Sequence, residues 1–241
     1  MEKDLEYREL IFPVKSNPSS FIINNFDKIE AYKLVSAIIP ISCYTISSNN
    51  NLLKFRESSA TATALSTTLT SCNYSPSTLV TELNTKLNAS GGQTSYSCSY
   101  ATNTNKITIS ATSNFRFEDN TTTGKCAWYE LGFTEGEATA YTNSLVLPNV
   151  VDLSGIKAIN ISSGNLTSKT KVYGSNRNII ASIPIDANIG TVLAYNNTQT
   201  EYIDISETDL NVVDLVLQDE NMNVINFNGK TVILKFGFLC R

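Results

Sequence analysis

From residue 144 to the C-terminus the chain is a succession of short β-type runs separated by polar turns. They cover 144–151, 156–162, 178–185, 191–195, 202–206, 212–218, 224–227 and 231–238. Runs this short at this spacing predict strands, and many of them joined by polar turns predict an antiparallel sandwich. Asp219 to Asn223 predicts a hairpin turn, and Asn228-Gly229 another before the final strand. Ile183-Pro184-Ile185 is a further landmark of this region.

The first half of the chain fits the same class with one exception. Residues 10–14, Leu10-Ile11-Phe12-Pro13-Val14, form a small apolar knot behind a charged start. Pro13 and Pro18 forbid a helix through it. Two readings stand, an ordered lead-in strand or an extended arm over 1–20 that docks on a neighbouring subunit. On the second, Leu10 to Val14 are the candidate subunit-contact residues. Strands are predicted at 21–23, 31–39 and 41–46, with Pro40 at a strand end or bulge. Another begins at 52–55, and the Thr-rich run 61–70 reads as extended, with Leu65 and Leu69 on one face.

The exception is a helix over Pro76 to Asn88. Ser75 suits the N-cap and Pro76 the first helical position. Leu79, Val80, Leu83 and Leu87 make one apolar stripe, and Glu82 and Lys86 pair on the outer face. Gly91-Gly92 ends it. A hairpin follows, Tyr96–Tyr100 and Lys106–Ser110 around Asn103-Thr104-Asn105, with a further strand at Phe115-Arg116-Phe117. Trp128 to Phe133 is aromatic-dense; it reads as core, with a sugar-binding platform as the alternative. Residues 134–144, with Glu135, Gly136 and Glu137, read as a polar loop.

Composition narrows the function. A chain of 241 residues buries about 70–75% of its unfolded surface and needs no covalent staple. Its net charge of −4 and scattered Lys and Arg argue against nucleic-acid binding. Asparagine is abundant, at 27 residues, which suits turns and exposed strand positions. Cys43, Cys72, Cys98, Cys126 and Cys240 are odd in number and widely spread, so they read as reduced, buried thiols. The N-terminus carries no apolar signal segment, and no run has the length of a membrane helix. Six sites fit the N-glycosylation pattern: Asn73, Asn88, Asn120, Asn160, Asn165 and Asn196. Without a secretory signal they are expected to be chance matches.

The chain contains no histidine. That removes the commonest general base, the histidine-dependent triads and most zinc sites. Carboxylate-only chemistry would have to draw on Asp204, Glu207, Asp209, Asp214, Asp219 and Glu220. These read as strand-end and turn residues. A calcium site from Asp219, Glu220 and Asn221 lacks the EF-hand spacing. No glycine-rich phosphate loop occurs. No enzyme activity, cofactor or metal is expected.

Taken in order, several segments resemble the minor capsid, or penton, proteins of virophages and Polinton-type double-stranded DNA viruses. They are Tyr32-Lys33-Leu34-Val35-Ser36-Ala37-Ile38-Ile39-Pro40; Asn73-Tyr74-Ser75-Pro76 with Leu79 and Leu83-Asn84; Leu131-Gly132-Phe133; Ile183-Pro184-Ile185; Val213 to Asp219; and Phe227-Asn228-Gly229. The likeness spans about 20–238. It departs at Cys72, where a glycine is usual, and at Lys230-Thr231-Val232, where an aromatic residue often stands. The resemblance implies a mainly β, antiparallel jelly-roll sandwich over 21–241, with 72–133 a helix-plus-hairpin insertion. It further implies a homopentamer at the fivefold vertices of an icosahedral capsid, partnered by a double-jelly-roll major capsid protein. No cofactor, nucleic acid or membrane insertion is implied, and the chain would be made in the host cytoplasm and end in the virion. A receptor-binding spike or fibre head shares the fold class, and glycan-array binding would favour it. An extracellular carbohydrate-binding module or carboxylate-only glycosidase is the rival from another class.

Overall fold

A computed structural model describes residues 5–23, 28–57, 64–90, 92, 94–118, 126–134, 138–166, 178–205 and 210–241. Residues 1–4, the 61–63 end of the predicted Thr-rich strand, Gly91, Asn120, Glu135 to Glu137, Ser206, Glu207 and Asp209 lie outside them. The chain enters through β1 (Glu6–Val14), β2 (Ser19–Ile22) and β3 (Ile29–Pro40). It continues through β4 (Leu52–Glu57), β5 (Leu65–Thr68), α1 (Pro76–Asn88), β6 (Tyr96–Ala101), β7 (Lys106–Phe117), α2 (Trp128–Leu131) and β8 (Thr142–Val146). It closes with β9 (Ala158–Ser163), β10 (Asn178–Pro184), β11 (Val192–Asn196), β12 (Ile203–Asp204), β13 (Val212–Gln218) and β14 (Val232–Cys240).

Two compact units divide these elements. Unit 1 comprises 1–43 and 156–241, and unit 2 comprises 44–155. The described sheets of unit 1 run β1-β14-β3-β11 and β10-β9-β13-β2. β12 also pairs with β3, at Tyr32 and Ala31, on the side that β14 leaves open. β11 and β12 therefore share one position beside β3. Counted this way, eight strand positions in chain order form sheets 1-8-3-6 and 2-7-4-5. That is the order of a jelly roll.

The core of unit 1 forms from the inward faces of both sheets. Phe12 and Val14 of β1, Leu34 and Ile39 of β3, Ile159 and Ile161 of β9, Val213, Leu215 and Leu217 of β13, and Val232 to Phe238 at even positions of β14 are all buried. Alternation puts every second residue there, which is why the period-2 pattern predicts these strands. Phe12 packs on Phe21, Phe236 and Phe238 with ring centroids 5.0, 5.7 and 6.5 Å apart.

Residues 6–14 are thus a strand of the first sheet, aligned with β14 from Glu6↔Cys240 to Val14↔Val232. Asn17 ties the following turn to the second sheet. Its Nδ2 donates to Leu217 O at 2.7 Å and Ile225 O at 2.8 Å, and its Oδ1 accepts from Leu217 N at 3.0 Å. The Asn228-Gly229 turn is present, with φ of 51° and 75° and Lys230 N donating to Phe227 O. Residues 224–227, expected as a strand, supply only a bridge from Val224 to Gln218. Residues 41–46 are likewise not a strand; Ile41 still donates to Thr191 O and accepts from Gly190 N, and then Ser42 Oγ donates to Phe227 O at 2.6 Å.

Unit 2 is a sheet of order β5-β4-β7-β6, with β8 also paired to β7. The helix-plus-hairpin segment 72–133 lies within it. β4, β5 and β8, outside that segment, belong to the same sheet, so the compact unit is longer at both ends. Helix α1 starts where its capping signals predict. Thr78 N donates to Ser75 Oγ, Ser75 N donates to Thr78 Oγ1, and Pro76 follows the cap. Leu79, Leu83 and Leu87 are buried against the sheet residues Phe55, Ile107, Ile109 and Phe115. Lys86 Nζ lies 3.7 Å from Glu82 Oε1. The strand expected separately at 115–117 is the end of β7, one continuous strand whose polar stretch 111–114 carries a register irregularity against β8.

Candidate interaction surface

Every strand of a half-buried sheet has a second face, and in the first sheet of unit 1 that face is apolar at one end. Odd residues of β1 point away from the core, so Ile11 is 63% exposed while Phe12 beside it is 3% exposed. Pro13 is also exposed and stands opposite Ile233; Ile233 stands opposite Ile38, and Ile38 opposite Ala194. This row crosses four strands. Val192, opposite Pro40, and Ile11, diagonal to Ile233, extend it. Ile38 and Val192 are 46% and 58% exposed.

Of the expected contact residues, the fold therefore separates two kinds. Ile11 and Pro13 lie on the outer face. Phe12 and Val14 lie in the core, and Leu10 is half-buried against it. Ile38, Ile233, Val192 and Ala194 were not singled out from the sequence. One signal was there: Ala37-Ile38-Ile39 is unbroken apolar sequence, and three consecutive strand residues cannot all face one core.

The other end of the same face is polar. Tyr7 Oη donates to Glu9 Oε1 at 2.7 Å, and Lys235 pairs with Glu9 Oε2. The Tyr7 ring lies across Gly237, where a β-carbon would fall 2.7 Å from the ring. Partial burial, and then the Glu9 carboxylate, push the Tyr7 phenol up to about 12. The Lys235 ammonium and the Tyr7 hydroxyl in turn hold the Glu9 carboxyl below its usual range. Lys33 Nζ stands 4.6 Å above the Tyr202 ring.

Of the four described carboxylates proposed from sequence, Asp214, Asp219 and Glu220 are engaged in turns and loop anchors. Asp214 accepts from Ser163 Oγ at 2.7 Å, Gly164 N at 2.9 Å and Asn165 N at 2.8 Å, fixing the loop that leaves β9. Asp219 accepts from Asn221 N at 2.9 Å and Asn223 N at 2.8 Å, closing its own turn. Glu220 Oε2 accepts from Lys157 N at 3.2 Å. Asp204 is exposed on β12, opposite Ala31. Asp214 and Asp219 are separated by about 16 Å of extended chain. Paired glycosidase carboxylates stand about 5–9.5 Å apart.

Elsewhere the expected aromatic run is core. Trp128 and Phe133 are buried in unit 2 with centroids 4.2 Å apart, while Tyr129 alone of the run's aromatics is exposed. The five cysteines carry free thiols, with Cys98, Cys126 and Cys240 buried. Asn88, Asn160 and Asn165 spend their side-chain amides as donors to backbone carbonyls within the fold. A shallow groove between 14–17 and 224–230 is lined by Lys15 and Lys230 and no carboxylate. No group of metal-binding side chains occurs among the described residues, and none of their helices is long and apolar enough to cross a membrane.

These features define a mainly β protein: a jelly-roll unit with a helix-bearing β unit inserted in the chain between its third and fourth strands. Among solved structures, the chain is similar to a mavirus penton protein, with 15% identity, a TM-score of 0.46, and coverage of 98% of this chain and 100% of that one. It is also similar to a chain in the structure of the Sputnik virophage, with 16% identity, a TM-score of 0.45, and coverage of 99% and 98%. No protein-family model matches the sequence. No curated protein matches it either.

Proposed function

We propose that this chain is a structural capsid protein, a penton that closes fivefold vertices as a homopentamer and contacts a double-jelly-roll major capsid protein in the virion. The reading is carried by one observation. The segments that resemble penton proteins fall, in order, on the devices that build the jelly roll and its inserted unit. Tyr32 to Pro40 is β3, the central strand of the first sheet. Asn73 to Pro76 caps α1, and Leu131-Gly132-Phe133 closes α2 through a left-handed Gly132. Ile183-Pro184-Ile185 ends the edge strand β10, Val213 to Gln218 lies in β13, and Phe227-Asn228-Gly229 turns into β14.

Copies meet, in this reading, on the outer face of the first sheet. Ile11 and Pro13 make the contact with Ile38, Ile233 and Val192, while Leu10, Phe12 and Val14 hold β1 in place from within. An aliphatic row that runs across four strands is contiguous, unlike apolar residues scattered singly over a surface. Closure into a ring requires a heterologous contact, so this face meets a different patch of the next copy. Light scattering of the purified chain, alone and with the major coat protein, tests the proposal. Five copies per vertex are expected, and Ile11→Asp should abolish the ring while leaving the circular dichroism unchanged. A strict monomer under both conditions, or a ring indifferent to that charge, refutes it.

A further inference from the structure

Unit 2 buries one carboxylate in a position that suits the protonated acid. Glu130 sits in α2, and its Oε1 accepts from Asn50 Nδ2. Asn50 is fully committed on its own side: Nδ2 also donates to Thr45 O at 2.8 Å, and Oδ1 accepts from Ser47 N at 2.7 Å. The second carboxylate oxygen, Glu130 Oε2, is buried and accepts no hydrogen bond among the described residues. The backbone joins a third segment to this point, since Asp152 N donates to Glu130 O at 3.0 Å. The Asp152 carboxylate accepts from Ser154 N and Ser154 Oγ, and its charge acts on Glu130. The 45–50 turn brings amide and hydroxyl groups and no charge. No described cation is paired with Glu130.

We propose that Glu130 is an acid-stabilised latch that fastens α2 to the 45–50 turn and to the segment at Asp152, tight when its carboxyl is neutral and loosened when it ionises. An ionised carboxylate with one oxygen out of water and without a donor is costly, and a neighbouring acid adds repulsion. Protonation removes the charge and the repulsion, leaving the smaller cost of a neutral buried oxygen. Burial raises the Glu130 carboxyl and outweighs the hydrogen bonds from Asn50 and from its own backbone amide, with a smaller push in the same direction from the Asp152 charge. With the folded value above the unfolded one, the native state binds the extra proton. Stability is then full below the ordinary glutamate range and is lost as pH rises through the raised value. The proposal is independent of any role in a capsid.

The test is hydrogen exchange on the full chain at about pH 5 and about pH 7.5, corrected for intrinsic rates. The amides to follow are Leu131, Gly132, Asn149 and Asp152, each a donor in this region. Their protection should fall on going to the higher pH, by up to about tenfold for each unit by which the carboxyl is raised. Glu130→Gln keeps the acceptor for Asn50 and removes the charge. It should hold the high protection at both pH values. Equal protection of the natural protein at both, or lower protection in Glu130→Gln than in the natural protein at the higher pH, overturns the latch. Should Glu130→Gln not fold, the natural protein followed over a pH series decides alone: protection of these amides that stays level between about pH 5 and about pH 7.5 refutes the proposal.

Discussion

Phe12 and Ile11 are adjacent on one strand and face opposite ways, so a pair of alanine substitutions separates the inner face of β1 from its outer face. Phe12 is 3% exposed and touches three other rings; its truncation opens a cavity at the edge of the unit 1 core. Phe→Ala in a packed core costs about 3–5 kcal/mol. At a denaturant slope of about 2 kcal/mol/M, the unit 1 midpoint should fall by about 2 M urea. Ile11→Ala removes side-chain atoms that are mostly in water already and should cost within about 0.5 kcal/mol. Two compact units make a single two-state analysis unsafe, but the chain carries its own second probe. Trp128 is the single tryptophan, buried in unit 2, so its fluorescence follows that unit while circular dichroism follows both. Equal, small shifts for Phe12→Ala and Ile11→Ala would refute the assignment of β1 to the sheet and favour a detachable arm.

Two further substitutions probe the frame around the surface. Gly132 adopts φ of 93°, and a β-carbon there would fall 2.4 Å from Asn149 O, so Gly132→Ala should cost about 2 kcal/mol or more and lower the Trp128 fluorescence melt by several degrees. Asp214→Ala strips the acceptor from Ser163 Oγ, Gly164 N and Asn165 N and should cost about 2–3 kcal/mol in urea unfolding followed by circular dichroism; a change below about 0.5 kcal/mol would mean the loop stands without it.

Local chemistry made parts of this fold legible. Helix α1 is announced by Ser75, Pro76 and a leucine at every fourth position, and each device acts within a turn or two of chain. The Asn228-Gly229 turn depends on two residues that accept positive φ. What the sequence hides is pairing. The register Pro13↔Ile233↔Ile38↔Ala194 assembles a surface from four distant segments, of which only 10–14 and Ala37-Ile38-Ile39 carry any sign of it in the sequence. The polar residues Thr112, Ser113 and Asn114 read as a break, yet β7 runs through them with Ser113 and Asn114 exposed. The aromatic run 128–133 reads as core, and its rings alone announce no element. Gly132 ends a single helical turn there, because its amide reaches back to Trp128 O and Tyr129 O.

The position of unit 2 in the chain explains why the jelly roll itself is hard to read. Strands β3 and β9 are consecutive in its order, yet the whole of unit 2 lies between them in sequence. Unit 2 brings its own sheet and its own buried cluster. Closing so long a loop costs little more than closing a short one, because the entropy grows only with the logarithm of length. The jelly roll can therefore accept the insertion at a small cost in stability. A period-2 pattern marks strands in both units alike and carries no label of membership. The signal that does is long-range: nine residues at the start of the chain find their partners in nine at its end, Glu6 to Val14 against Val232 to Cys240. That pairing makes unit 1 a single body despite its split in sequence. It also sets Ile11 and Pro13 beside Lys235 and Ile233 on the outer face proposed to meet the next copy.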